Sequence, residues 1–186
     1  MRHLPNVMTV LRIIASTAVP FLIMSDLPGL RYLAVGLFAA AALTDWLDGY
    51  LARRMNAVSN LGRMLDPVAD KLLVAGSLLA LAAFENWGWL MFIPALMILL
   101  REVFISGLRE FMSAYNLVIH VTFLAKIKTP IQLIAIGFVM STPLTPLSWR
   151  IADIALALMW LAAILTAITG WDYLKKALAH DLSAQQ

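Results

Sequence analysis

Four aspartates dominate the chemistry that this sequence could perform. They fall in one stretch, Thr44 to Asp70, which reads TDWLDGYLARRMNAVSNLGRMLDPVAD. Asp45 and Asp48 are separated by three positions, and Asp66 and Asp70 by four, so on helices each pair shares a face. The connection between the pairs is short, which predicts antiparallel neighbouring helices and four carboxylates lining one pocket. Two carboxylates about 5 Å apart repel by roughly 3 kcal/mol at an effective dielectric of 20. Arg53, Arg63 and Lys71 could neutralise part of that charge as an ion-pair network. Carboxylate and water oxygens also suit hard divalent ions such as Mg²⁺ or Mn²⁺, and two such ions about 3.5 to 4 Å apart make a phosphoryl-transfer centre. The recurrence of every acid at helical spacing on two adjoining segments favours metal binding over a salt-bridge cluster.

The residues between the acids fit a ligand of some bulk. Gly49 follows Asp48, Ala52 lies one turn beyond it, and Gly62 lies one turn before Asp66. Glycine in a helix costs up to about 1 kcal/mol relative to alanine, so these positions make room either for a flat ligand beside the backbone or for close helix packing. Arg53 stands where a guanidinium could hold a phosphate oxygen. Pro67 suits the first turn of a helix with Asp66 near its cap; a helix starting near Ser59 would instead enclose the proline.

The elements that position these residues are apolar helices. Of 186 residues, 62% are hydrophobic and 13% charged, and the mean hydropathy is +0.84. A soluble domain has roughly 45 to 50% hydrophobic residues, so a water-soluble globule is excluded. A spanning helix takes about 20 residues. Apolar runs at 7–24, from about Leu30 into the 40s, and at 67–84, 87–108, 130–140 and 151–171 predict six spans. SDLPG, RRMNAVSN, ENWG and STPLTPLS separate them. Arg12 interrupts the first run and no small-x-small cleavage site precedes Ser25, so this run is expected to be a retained helix rather than a signal peptide. The reading is an all-α integral membrane bundle, with residues 1–186 as one domain. There is no cysteine, which excludes disulfides and thiolate metal sites. A net charge of +3 comes with no nucleic-acid motif. Arg2, Arg53, Arg54, Arg63, Arg109, Lys126, Lys128, Lys175 and Lys176 collect on one side of the spans, against Arg31 and Arg150 on the other. The positive-inside rule then places both termini in the cytoplasm.

Asp45, Asp48, Gly49, Ala52, Arg53, Gly62, Asp66 and Asp70 spell D-x2-D-G-x2-A-R-x8-G-x3-D-x3-D. This pattern resembles the signature of the CDP-alcohol phosphatidyltransferases, membrane enzymes that join a CDP-linked donor to an alcohol and release CMP. All eight fixed positions are present, and a chance match is on the order of 10⁻⁸ at average residue frequencies. The N-terminal PNVMTVLR is also similar to the family's Asn-x-x-Thr-x-x-Arg opening. The resemblance implies that Asp45, Asp48 and Asp66 ligate two divalent ions, Mg²⁺ or Mn²⁺, and that Asp70 both touches metal and acts as general base. It implies that Gly49, Ala52 and Gly62 accommodate the cytidine nucleotide, that Arg53 holds the diphosphate, and that Asn6 and Thr9 contribute to the CDP-diacylglycerol site. It further implies a homodimer in a bacterial-type inner membrane.

The acceptor must be read from the second half. REVFISGLRE places Arg109 near the cytoplasmic end of the fourth span, and AKIKTPIQ places Lys126 and Lys128 at the entrance to the fifth. Three cations near the membrane surface suit an acceptor that carries a phosphate, or reflect the positive-inside bias and anionic lipid heads. Arg101 and Glu102 lie deeper, where ionisable residues mark function or form a helix–helix pair. Both stretches resemble the branch of the family that uses glycerol 3-phosphate, with Ala125 replacing a glycine typical there. The resemblance implies acceptor-phosphate binding by Arg109, Lys126, Lys128 and Arg101. The alternatives are another acceptor, namely inositol phosphate, serine or phosphatidylglycerol, and, in a different class, a divalent-cation transporter. Against transport, LAVGLFAAAAL and LLVAGSLLALAAF carry no polar path through the bilayer.

Overall fold

A computed structural model describes residues 4–55, 60–84, 87–115, 123–144 and 148–184, with backbone alone at 4–8, 46–55, 60–64, 66, 148–149 and 180–184. Six helices follow one another: α1 (Leu4–Ile23), α2 (Pro28–Met55), α3 (Asn60–Phe84), α4 (Trp89–Ala114), α5 (Phe123–Ser141) and α6 (Ser148–Ala184), with a 3₁₀ turn at Thr142–Leu144. Among the described residues there is no strand. Four helices contain a described stretch long and apolar enough to cross a membrane: Pro67–Phe84, Trp89–Ala114, Phe123–Leu144 and Arg150–Ala179. The apolar part of α1, Thr9–Ile23, is shorter. Large apolar side chains such as Val103, Phe104 and Ile168 are exposed, a surface suited to hydrocarbon rather than water.

Helix boundaries follow local chemistry. Pro28 opens α2, where its missing N–H and fixed φ cost nothing, and the Leu30 and Arg31 amides donate to Leu27 O at 3.0 and 3.2 Å. Gly88 precedes α4 with φ 53° and ψ −135°, a conformation that favours glycine, and its carbonyl accepts from the Met91 and Phe92 amides. The sequence left two starts open for α3, of which the structure takes the earlier, and it placed the start of α5 too late. Helix α3 begins at Asn60, so Pro67 lies inside it and Asp66 is not near its cap. Leu61, Met64, Leu65, Val68 and Ala69 keep helical spacing across the proline, and the helix continues at the loss of one i→i−4 bond. Helix α5 likewise begins before Pro130 and takes Lys126 and Lys128 into its first turns. Helix α6, with 37 residues, is about 55 Å long at 1.5 Å per residue.

The chain divides into two compact units, residues 1–86 with 136–155, and residues 87–135 with 156–186. In the first, α1 packs mainly on α3 and also on α2, burying Val19, Ile23, Ala34, Phe38, Leu73 and Leu78. A Cβ at Gly76 of α3 would stand 2.7 Å from Pro20 Cγ of α1. Buried Arg31 of α2 donates from Nη1 to Ile23 O at 2.7 Å and from Nε to Met140 O at 3.4 Å, capping carbonyls near the C-termini of α1 and α5. In the second unit, Trp160 Nε1 of α6 donates to Leu90 O of α4 at 3.1 Å, beside a core that includes Met91, Ile98, Met159 and Ala162.

The contact at Gly76 makes a prediction. Gly76→Leu forces the Pro20 ring and the α1–α3 spacing to move, and should lower stability by about 1–3 kcal/mol. Gly36→Ala, where a Cβ meets nothing within 4 Å, should leave it unchanged or slightly raised. Thermal unfolding in detergent compares the two, and equal melting temperatures would contradict the close α1–α3 approach.

Candidate active site

In the first unit, α2 is unbroken through Asp45 and Asp48, and α3 through Asp66 and Asp70. Each pair therefore shares a helix face, and the two helices touch. Asp45 and Asp70 are half-buried. The side chains of Asn6, Asp48, Ala52, Arg53 and Asp66, and the surroundings of Gly49 and Gly62, lie outside the described residues. Among the described residues no three His, Cys, Asp or Glu side chains cluster as metal ligands. The donors the fold provides are carboxylates from two touching helices, which is the oxygen-only chemistry that Mg²⁺ or Mn²⁺ requires.

The first helix contacts both acid-bearing helices. Arg12 Nη1 lies 2.7 Å from Asp45 Oδ1, with the Arg12 side chain 2% exposed and the Asp45 side chain 44% exposed. One turn on, the Ser16 hydroxyl is shared between Arg12 O at 2.7 Å and Ala69 O at 3.2 Å. Helix α1 thus grips α2 at the first acid and α3 at the residue before the last. Thr9, also buried, lies three positions before Arg12 on the same face. Next to Asp45, the Thr44 hydroxyl donates back to Ala40 O and Ala41 O at 2.8 and 3.0 Å.

The second unit gathers the cations. Glu102 Oε1 accepts from Arg101 Nη1 at 3.3 Å and from Lys128 Nζ. Arg101 Nη2 donates to Thr169 Oγ1 at 3.3 Å, and that hydroxyl donates onward to Leu165 O and Thr166 O. A Cβ at the next residue, Gly170, would stand 2.9 Å from Arg101 Cγ, so the missing side chain lets the arginine stem lie along α6. The Arg109 guanidinium sits 5.8 Å from the Tyr173 ring centre, within cation–π range, and is close enough to act on both Arg101 and Lys128. Lys126 is exposed and, two residues from Lys128, lies on a different side of α5. Of the four expected acceptor cations, the structure brings Arg101 and Lys128 together through Glu102, with Arg109 in electrostatic reach.

Arg12 is the residue whose part sequence reading missed, while Glu102 forms the helix–helix pair expected of it, with Lys128. A lone arginine inside an apolar run demands a buried partner, and that signal pointed to Arg12. Nothing in the sequence alone chose Lys128 as the partner of Glu102.

The CDP-alcohol phosphatidyltransferase family model matches residues 2–168, and the chain belongs to that family. It is 39% identical to the CDP-diacylglycerol–glycerol-3-phosphate 3-phosphatidyltransferase of Cereibacter sphaeroides, over 95% of this chain and 96% of that one. It is 37% identical to the protein of the same name from Rickettsia typhi, covering 94% and 97%. Among solved structures, the apo phosphatidylinositol phosphate synthase of Mycobacterium tuberculosis superposes with a TM-score of 0.64 at 21% identity, over 90% of this chain and 87% of that one. This likeness establishes a common fold.

The Arg12–Asp45 pair predicts an asymmetry. Asp45→Ala takes a carboxylate away from a buried guanidinium and should cost about 2 kcal/mol or more. Arg12→Met leaves a carboxylate that water reaches and should cost about 1 kcal/mol or less. Chemical or thermal unfolding of both variants in detergent checks the order; a larger loss for Arg12→Met would show that the pair is not what holds Asp45.

Proposed function

We propose that this chain transfers the phosphatidyl group from CDP-diacylglycerol to sn-glycerol 3-phosphate, giving phosphatidylglycerol phosphate and CMP. The observation that carries this reading is the complete eight-residue motif on α2 and α3 in a chain 37% to 39% identical, over almost its whole length, to relatives named for that reaction. The cluster of Arg101, Arg109 and Lys128 supports it on the acceptor side, because a phosphate monoester carries about −1.5 to −2 charge at neutral pH.

Asp45, Asp48, Asp66 and Asp70 would hold two divalent ions, which when bound supply charge stabilisation for the diphosphate and the leaving CMP. Gly49, Ala52 and Gly62, together with Asn6 and Thr9, leave space for the nucleotide, and Arg53 binds a diphosphate oxygen. Arg101, Arg109, Lys126 and Lys128 bind the acceptor's phosphate. The acceptor's primary hydroxyl attacks the phosphorus that bears diacylglycerol, and Asp70 takes its proton. A new P–O bond forms to the glycerol as the P–O bond to CMP breaks. Residues 1–186 act as one catalytic domain, assembled as a homodimer in a bacterial inner membrane. Both termini and the active site face the cytoplasm, as the excess of cations on one side of the spans supports. Lys128, buried in an ion pair, drops out of that count without reversing it.

Purified protein in detergent should convert CDP-diacylglycerol and radiolabelled glycerol 3-phosphate into labelled lipid and an equal amount of CMP, with Mg²⁺ or Mn²⁺ but not with EDTA. Asp70→Asn should lower kcat by about 10²-fold or more. Replacing Arg101, Arg109, Lys126 or Lys128 by Gln should raise the apparent KM for glycerol 3-phosphate, by roughly tenfold for the clustered residues. An unchanged KM in all four would overturn the acceptor site. CMP release that depends instead on inositol phosphate, serine or phosphatidylglycerol would retain the family chemistry and overturn the acceptor.

A further inference from the structure

Among the described residues, three polar atoms of the second unit are buried without a hydrogen-bond partner: Arg101 Nε, Thr166 Oγ1 and Gln132 Oε1. Arg101 places its other two nitrogens on Glu102 and Thr169, and a helical threonine can fall back on a carbonyl of its own helix. Gln132 has neither recourse. It is 3% exposed, and a buried amide oxygen without a donor is costly enough that such groups are rare outside functional sites.

The position of Gln132 suggests what would complete it. Lys128 and Gln132, four residues apart on α5, lie on one face, and Lys128 shows that this face meets Glu102 of α4. One helical turn rises about 5.4 Å, the scale of a three-carbon phosphate ester measured from its phosphorus to its hydroxyls. Glu102 is the more exposed partner, at 24% of its side chain against 8% for Lys128. An incoming phosphate therefore competes with Glu102 for the ammonium, and that exchange opens the face on which Gln132 sits.

We propose that Gln132 is a specificity-determining residue, whose Oε1 accepts a hydrogen bond from the C2 hydroxyl of the acceptor held at Lys128 and Arg101. This rests on the glycerol 3-phosphate reading above. The primary hydroxyl gives up its proton on attack, so the C2 hydroxyl is the donor that persists through the reaction. A site built to pair with that hydroxyl discriminates strongly against an analogue lacking it, because the amide is then left unpaired.

The test compares glycerol 3-phosphate with 3-hydroxypropyl phosphate, which keeps the phosphate and the primary hydroxyl and lacks only the C2 hydroxyl. Wild-type kcat/KM should be about 10- to 100-fold lower with the analogue. In Gln132→Met the value for glycerol 3-phosphate should fall to that of the analogue, which itself changes by no more than about twofold. Gln132→Glu, which keeps acceptor oxygens in the same place, should retain the preference even if its charge weakens both substrates. Equal use of the two substrates by the wild type, a preference that survives in Gln132→Met, or its disappearance in Gln132→Glu overturns the proposal. Equal use by the wild type decides against it even where a variant fails to fold. Absence of any turnover of glycerol 3-phosphate by the wild type instead overturns the acceptor reading, and the role of Gln132 with it.

Discussion

A charge inside an apolar helix needs a partner, and this fold is arranged around that need. A charged residue at the centre of a spanning helix costs about 2.5 to 3.5 kcal/mol even on the lenient insertion scale. Arg12 lies in the apolar stretch Thr9–Ile23 of α1, and Arg101 and Lys128 lie within long apolar stretches of α4 and α5. Each is matched by a carboxylate on a different helix or on the adjacent residue. The interhelical pairs tie together the helices that carry their partners. In the first unit Arg12 therefore joins α1 to α2, and in the second Glu102 joins α4 to α5.

Close approach of backbones makes those pairings possible. With hydrocarbon outside, helices gain little from burying apolar surface and depend on tight packing and interhelical polar contacts. Gly76 lets α1 lie against α3 with Pro20 over its Cα, and Ser16 exploits the same approach to reach Ala69 O. Gly170 does the equivalent for α6, where the stem of Arg101 occupies the space that a Cβ would take and its guanidinium reaches the hydroxyl of Thr169. A glycine and a neighbouring hydroxyl thus recur in both units, one supplying room and the other a hydrogen bond.

The helix pattern and the acid motif were legible in the sequence because both are local. Hydrophobic runs bounded by SDLPG, ENWG and STPLTPLS give six helices, and the spacing of the aspartates gives their shared faces. Boundaries were less legible: a proline reads as a start signal, yet Pro67 and Pro130 both lie inside helices whose apolar periodicity continues through them. Pair identities were not legible at all. Arg12, on a different helix, reaches Asp45 through a helix crossing that no local pattern encodes. The pairing of Lys128 with Glu102, 26 residues away, has the same origin, since choosing between carboxylates requires knowing which faces of α4 and α5 meet.

In every one of these pairs the cation is the deeper partner. The side chains of Arg12, Arg101 and Lys128 are 2%, 11% and 8% exposed, against 44% for Asp45 and 24% for Glu102. Long basic side chains can bury their stems in apolar surroundings, and the shorter carboxylates remain the more exposed partners. The same asymmetry takes a different form in the two units. At Asp45 the buried guanidinium backs a carboxylate that is 44% exposed. At Glu102 one carboxylate accepts from two cations that are both less exposed than it is. Two like charges such as Arg101 and Lys128 cannot stay buried unscreened, and Glu102 supplies the carboxylate that both of them reach.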